Sequence, residues 1–110
     1  MFWAVESADR CRRRGVEFTL VVVPEAFQVD SRMREQWLPL TDMRQLTKPC
    51  GEAAGRLCRR AVAAGLDVLD LHPVLQDIPG TYLNLDGHWS DKGVEIVSDA
   101  LVRHLRRAGD

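Results

Sequence analysis

Apolar positions along the chain change period several times, and each change marks an element. "VEFTLVVV" (16 to 23) is an unbroken β-branched and aromatic run closed by Pro24. Continuous apolarity, as opposed to alternation, is what a parallel strand covered on both faces requires. "LDVLDL" (66 to 71) predicts a second, shorter strand. Between them Ala54, Leu57, Cys58, Ala61 and Val62 recur at i, i+3, i+4, i+7 and i+8. That is one stripe of a helix, opening near Glu52 and stopping at Gly65. Strand, helix, strand in this order implies a parallel pair with a right-handed crossover.

Residues 3 to 14 have few breakers and end at Gly15, which predicts an opening helix. Val94, Val97, Leu101 and Leu105 form the stripe of a closing helix from about Ser90 to Arg107. Ser90 is its N-cap, with Trp89 and Val94 at the positions of a hydrophobic staple. His72 and Pro73 begin a short helical turn reaching Gln76. From Glu25 to Gly51, "SRMREQWLPL" and "TDMRQL" are short helical candidates in an irregular connection interrupted by Pro39 and Pro49. The order is α-β-α-β-α, which places the chain in the α/β class. Two parallel strands are too few to stand alone, because both faces and both edges need cover. The sheet is expected to be incomplete.

Composition narrows the functional classes. With 110 residues, 45% hydrophobic and 28% charged, the profile is that of one globular domain, without repeats or low-complexity segments. Fifteen Lys and Arg against sixteen Asp and Glu leave a net charge of -1, so no overall field draws in nucleic acid or an anionic membrane. The arginine clusters at 10 to 14, 56 to 60 and 103 to 107 sit late in predicted helices, where cations oppose the negative end of the macrodipole. Cys11, Cys50 and Cys58 lack the C-x-x-C spacing of a zinc site, and Cys58 falls on an apolar helix face as a small hydrophobe. A Cys50 to Cys58 bridge is compatible with an oxidising compartment, but nothing in the sequence argues for it. "MFWAVESADR" meets Glu6 and Asp9 before any basic residue, the wrong charge order for a secretory signal. No apolar run approaches the roughly 20 residues of a membrane span. As written, the chain reads as cytoplasmic.

The stretch "YLNLDGHWSDKG" (82 to 93) carries the candidate chemistry. In open α/β sheets, sites form beyond the carboxyl ends of the strands, in the connections that follow them. Asp86 and His88 lie in such a connection. A histidine becomes an effective general base when a carboxylate accepts a hydrogen bond from one ring nitrogen, fixing the tautomer and stabilising the imidazolium. The same residues also suit a plain turn, with Asp86 bonding backbone amides and His88 at the surface. "DLH" (70 to 72) repeats the spacing, and two Asp with two His suit zinc or manganese in principle. Helix initiation at His72 and strand-end polarity at Asp70 are the simpler account of that pair.

"GLDVLDLHPVLQD", then "YLNLDGHWSDKG", then an amphipathic helix together resemble the carboxyl-terminal part of the SGNH (GDSL-like) hydrolase superfamily. The likeness is closest to its alginate and cell-wall polysaccharide O-acetyltransferase-like branch. "VVVPEAFQVD" (21 to 30) is similar to that family's strand and proline-led loop. The resemblance covers residues 16 to 105, and "DGHW" with the following Lys92-Gly93 is its most specific part. It implies a partial flavodoxin-like three-layer α/β/α fold, with Asp86 as triad acid, His88 as triad base and Trp89 as the aromatic that commonly follows. The D-x-H spacing is that of the acetyltransferase-like branch, where many esterases have D-x-x-H. No metal or organic cofactor is implied. The implied substrate is an acyl ester, O-acetylated polysaccharide among the candidates, and the relatives commonly work outside the cytoplasm, so any export signal would lie ahead of Met1.

The family's nucleophile is a serine in a G-D-S-type block after the first strand, and its oxyanion hole adds a glycine and an asparagine from later blocks. None of these is identifiable. Ser7 lies in a predicted helix, Ser90 caps one and Ser98 sits within one; Ser31 follows the first strand but has no glycine neighbour for a tight turn. Because nucleophile, base and oxyanion cradle act as a unit, the expectation is an acid-base half, inactive alone. The chain then reads as the carboxyl-terminal half of an SGNH-like esterase or O-acetyltransferase domain. Its partner is expected to be the serine-bearing half, or a second copy joined through the sheet edge. The alternative is a non-catalytic interaction module that pairs by that edge, with Phe2, Trp3 and Trp37 as an apolar contact patch or simply as core.

Overall fold

A computed structural model describes residues 1–37, 52–84 and 86–109. In chain order the elements are α1 (Phe2–Arg13), β1 (Thr19–Val22), α2 (Ala26–Val29), α3 (Ser31–Trp37), α4 (Glu52–Ala63), β2 (Asp67–Asp70), α5 (His72–Leu75) and α6 (Asp91–Gly109). Helices α1 and α4 end the same way, and each delivers the chain into a strand. Gly15 and Gly65 take φ of 70° and 81°, a conformation that costs glycine little. The amide of Val16 donates to the Cys11 carbonyl at 2.9 Å and that of Gly15 to Arg12 at 3.1 Å. In α4, Leu66 donates to Ala61 at 3.0 Å and Gly65 to Val62 at 2.9 Å. These paired bonds satisfy carbonyls that a helix end leaves open. Arg10, Arg12 and Arg13 in the last turn of α1, and Arg60 in that of α4, place cations at the negative ends of the dipoles.

The two strands pair in parallel, Thr19 opposite Asp67 through Val22 opposite Asp70. Strand side chains alternate between faces, and the packing follows that alternation. Leu20, Val22 and Val68 join Ala4, Ala8, Ala61 and Leu66 on the face covered by α1 and α4. Val21 and Leu69 join Val29, Met33, Leu71, Leu75, Tyr82 and Val97 on the opposite face. The result is three layers, helix, sheet, helix, as the α/β reading requires. Leu71 and Leu75 are 0% exposed, and burial of a leucine side chain contributes about 1.5–3 kcal/mol.

Several expectations change in detail. The strand expected over 16 to 23 is paired only from Thr19 to Val22, matching the four residues that β2 offers, and Val16 and Val23 are exposed. Ala61 is the buried contact of α4, whereas Val62, about 100° further round the helix, is exposed. Phe2 and Trp3, weighed as core or as an apolar patch, are 82% and 60% exposed. Cys58 is half-buried, and burial followed by the nearby Asp70 carboxylate pushes its thiol pKa up. "SRMREQW" forms α3, while "TDMRQL" and Cys50 lie outside the described residues. Among the described residues no helix is long and apolar enough to cross a membrane.

Candidate active site

The segment between α5 and α6 folds back on itself as an antiparallel hairpin. Tyr82 and Trp89 form a bridge, the Leu83 amide donates to the His88 carbonyl at 2.9 Å, and the Ser90 amide donates to Thr81 at 2.9 Å. Inside the hairpin the Asp86 amide donates to the Leu83 carbonyl at 3.2 Å. One long-range bond sets where this hairpin stands: Tyr82 Oη donates to the Pro24 carbonyl at 2.6 Å. Pro24 lies just past the end of β1, so the hairpin is anchored at the carboxyl end of the sheet, the end at which open α/β folds build their sites.

Asp86 and His88 meet within the turn. Asp86 Oδ1 accepts the His88 backbone amide at 2.9 Å and lies 2.5 Å from the His88 ring Nδ1. The backbone bond, then the ring bond, hold the Asp86 carboxyl below its ordinary pKa. An ionised carboxylate can only accept, so Nδ1 must be the donor, and in the neutral ring the lone pair is left on Nε2. The His88 side chain is 86% exposed, and Nε2 has no hydrogen-bond partner among the described residues. Chemically this is an oriented imidazole with its basic nitrogen open to solvent. The Asx-type backbone bond and the ring contact share one oxygen, Asp86 Oδ1.

The other D-x-H pair behaves differently. Asp70 Oδ1 accepts the His72 amide at 2.9 Å, as Asp86 does for His88, yet the His72 ring is buried with Nδ1 unpartnered. Among the described residues no three His, Cys, Asp or Glu side chains converge. Asp70 and His72 serve the start of α5, and the two D-x-H pairs form no common cluster among the described residues. A second carboxylate–imidazole contact escaped the sequence altogether: His104 Nε2 lies 2.9 Å and 3.0 Å from the two oxygens of Asp67, and Thr19 Oγ1 donates to the same carboxylate at 2.6 Å. Thr19, 48 positions from Asp67, meets it across the paired strands, and His104, 37 positions from it, meets it because α6 packs along the sheet. They sit at the amino ends of both strands, the end opposite the hairpin.

Ser7, Ser90 and Ser98 take the positions expected of them, whereas Ser31, expected in the loop after the first strand, opens α3. Ser90 Oγ donates to the Gly80 carbonyl and accepts the Gly93 amide at 3.2 Å, so the hydroxyl two residues from His88 is committed to capping α6. Ser31 begins α3 at the surface, Ser7 lies on α1 and Ser98 on the exposed side of α6. A groove of about 360 Å³ runs beside the hairpin, lined by Asp30, Arg32, Met33, Gln36, Tyr82 and Asn84. A separate hollow of about 330 Å³, bordered by Phe18, Thr19, Leu66 and Asp67, lies at the far end of the strands.

A family model described as the SGNH hydrolase-like domain of acetyltransferase AlgX matches residues 3–110. The chain belongs to this family. The match takes in α1 and the whole of α6, a wider span than residues 16 to 105 over which the resemblance was legible. No curated protein and no solved structure matches the chain. Membership in the SGNH hydrolase-like AlgX family gives the two parallel strands and their helices an SGNH-like frame, and places the chain in a family of hydrolase and acetyltransferase type. Tyr82, whose hydroxyl anchors the hairpin, was not singled out from the sequence; a lone tyrosine seven residues from Trp89 carries no signal until the two are seen paired.

Proposed function

We propose that Asp86 and His88 are the acid and base of a serine-dependent acyl transfer, so that the chain contributes the acid-base half of an esterase or O-acetyltransferase. The observation that carries this reading is the Nδ1 to Oδ1 contact of 2.5 Å on a ring whose Nε2 faces solvent. In the reaction, Nε2 takes the proton of a serine hydroxyl as its oxygen attacks the ester carbonyl. The same nitrogen then returns that proton to the departing alkoxide, leaving an acyl-serine. Water or an acceptor alcohol repeats the sequence in reverse, and the choice between them separates hydrolysis from transfer. Asp86 keeps Nδ1 protonated and stabilises the transient imidazolium.

The serine comes from outside the four of this chain, given that Ser90 is held in its cap and the others stand on helices. A serine-bearing segment docks by strand addition to an outer edge of the sheet, while a second copy pairing there would bring only the same four serines. The test is acetyl-ester turnover with the serine-bearing segment present. His88→Ala is expected to lower kcat by about 10²–10⁴-fold, with Asp86→Asn close behind. Unchanged turnover in His88→Ala removes the pair from the mechanism. A second reading, an interaction module without catalysis, is favoured by the same edges, which pair with no further strand among the described residues. Size-exclusion chromatography decides it: a monomer that forms no complex with the serine-bearing segment argues against edge pairing altogether.

A further inference from the structure

Position 93 is a glycine where an alanine would serve the helix better. It is the third residue of α6, it has no positive φ, and glycine is a poor helix former. Conformational freedom therefore does not account for it, and space does. A Cβ at 93 would lie 2.1 Å from the Thr81 carbonyl oxygen, 3.0 Å from its carbon and 3.1 Å from Trp89 Cβ. The obstacle is backbone, and it is held from several sides. Thr81 is 0% exposed, and its carbonyl already accepts the Ser90 amide at 2.9 Å. The Gly80 carbonyl accepts Ser90 Oγ, and the Pro79 carbonyl accepts Lys92 Nζ at 2.9 Å. Three consecutive carbonyls, 79 to 81, thus each take a bond from the cap or first turn of α6.

We propose that Gly93 is a positioning residue for the Asp86–His88 pair. Lacking a Cβ, it lets the incoming arm of the hairpin lie directly on the first turn of α6, and this fixes the height at which His88 stands over the sheet. The proposal rests on the acid-base reading given above. The internal geometry of the pair has a different origin, because both bonds from His88 to Asp86 span two residues and belong to the turn. Lifting the seat therefore moves the pair without dissolving it.

The test compares Gly93→Ala with Gly55→Ala, a substitution on α4 whose added Cβ meets only the flexible Arg59 guanidinium, at 3.3 Å. Both are read by NMR, as the His88 Nδ1–H resonance and the exchange rate of the Ser90 amide, and by acetyl-ester kinetics with the serine-bearing segment present. Gly93→Ala is expected to keep the Nδ1–H resonance while its Ser90 amide exchanges about tenfold faster. Its kcat is expected to fall roughly 10- to 100-fold with KM nearly unchanged. Gly55→Ala is expected to alter none of these. A Gly93→Ala protein that folds with Ser90 exchange and kcat within about twofold of the parent overturns the proposal. So does a loss equalled by Gly55→Ala. Should Gly93→Ala fail to fold, Lys92→Ala carries the test: faster Ser90 exchange with lower kcat supports the seat, and no change in either overturns it. His88→Ala in the same assay keeps the two ideas apart. If it leaves kcat intact, the acid-base reading is lost, and Ser90 exchange still decides whether Gly93 seats the hairpin.

Discussion

Removing one oxygen from Tyr82 isolates the bond that ties the hairpin to the end of β1. The ring is 6% exposed, and Oη donates to the Pro24 carbonyl at 2.6 Å. In Tyr82→Phe the ring and its packing stay, so no cavity forms. What is lost is the net worth of one hydrogen bond, about 0.5–1.5 kcal/mol, together with the penalty of leaving a buried carbonyl unpaired, which brings the total to about 1–3 kcal/mol. Pro24 is itself buried, so the expected loss is about 1.5–2 kcal/mol, or roughly 6–12 °C in Tm for a chain of 110 residues. Urea titration followed by circular dichroism measures it, and the m-value should not change, because the exposed surface of the unfolded chain is the same. The pH dependence supplies an independent sign. Burial, with the Glu25 carboxylate adding to it, raises the Tyr82 phenol above its ordinary value of 10.0. A group whose folded pKa is raised contributes stability that is fully present below the unfolded pKa and is lost as pH rises through the folded one. The gap between wild type and Tyr82→Phe should therefore stay constant through neutral pH and close above about pH 10. A difference under about 0.5 kcal/mol at neutral pH, or one that persists undiminished in strong alkali, refutes the assignment.

Other outcomes follow from the same reasoning. Leu75→Ala, at a position 0% exposed between α2 and α6, should destabilise by about 2–5 kcal/mol in urea titration, and a loss under about 1 kcal/mol would mean that the site collapses freely. At Asp67, partial burial opposes ionisation, but the Thr19 hydroxyl and the His104 ring outweigh it and the carboxyl lies below its ordinary 3.8. Its contribution is present above that value and disappears as pH falls through the lower folded pKa. Asp67→Asn should thus lower Tm at neutral pH and match wild type once the pH falls below the lowered folded pKa; equal Tm values at neutral pH would show that the contact carries no stability. Ser90→Ala removes the N-cap of α6 and should cost about 1 kcal/mol, read by thermal denaturation, with Ser90→Asp restoring most of it.

Much of this architecture is written in local pattern. Gly15 and Gly65 announce two helix ends because only a residue at ease with positive φ closes a helix with that pair of bonds. The β-branched run around Thr19–Val22, the stripe through Ala61 and the cap at Ser90 are equally local, and each element stands where its period placed it. The Asp86–His88 contact was within reach for the same reason: a two-residue turn needs nothing from the rest of the fold. Local pattern failed where an element's neighbours decide its fate. Val62 and Val23 have the chemistry of core residues and are exposed, since Val62 is turned about 100° from the buried Ala61 and Val23 lies past the last paired residue of β1.

The two D-x-H pairs mark the boundary most clearly. The sequence by itself determined that each aspartate would accept the amide of the histidine two residues on, since turn geometry and carboxylate chemistry suffice for that. Only tertiary packing decided that the His72 ring would be buried and the His88 ring left in the open, that Tyr82 would reach 58 residues back to Pro24, and that Asp67 would find His104. The reason is physical: hydrogen bonds within a turn close over two or three residues, whereas burial and long-range pairing depend on which surfaces the folded layers bring together.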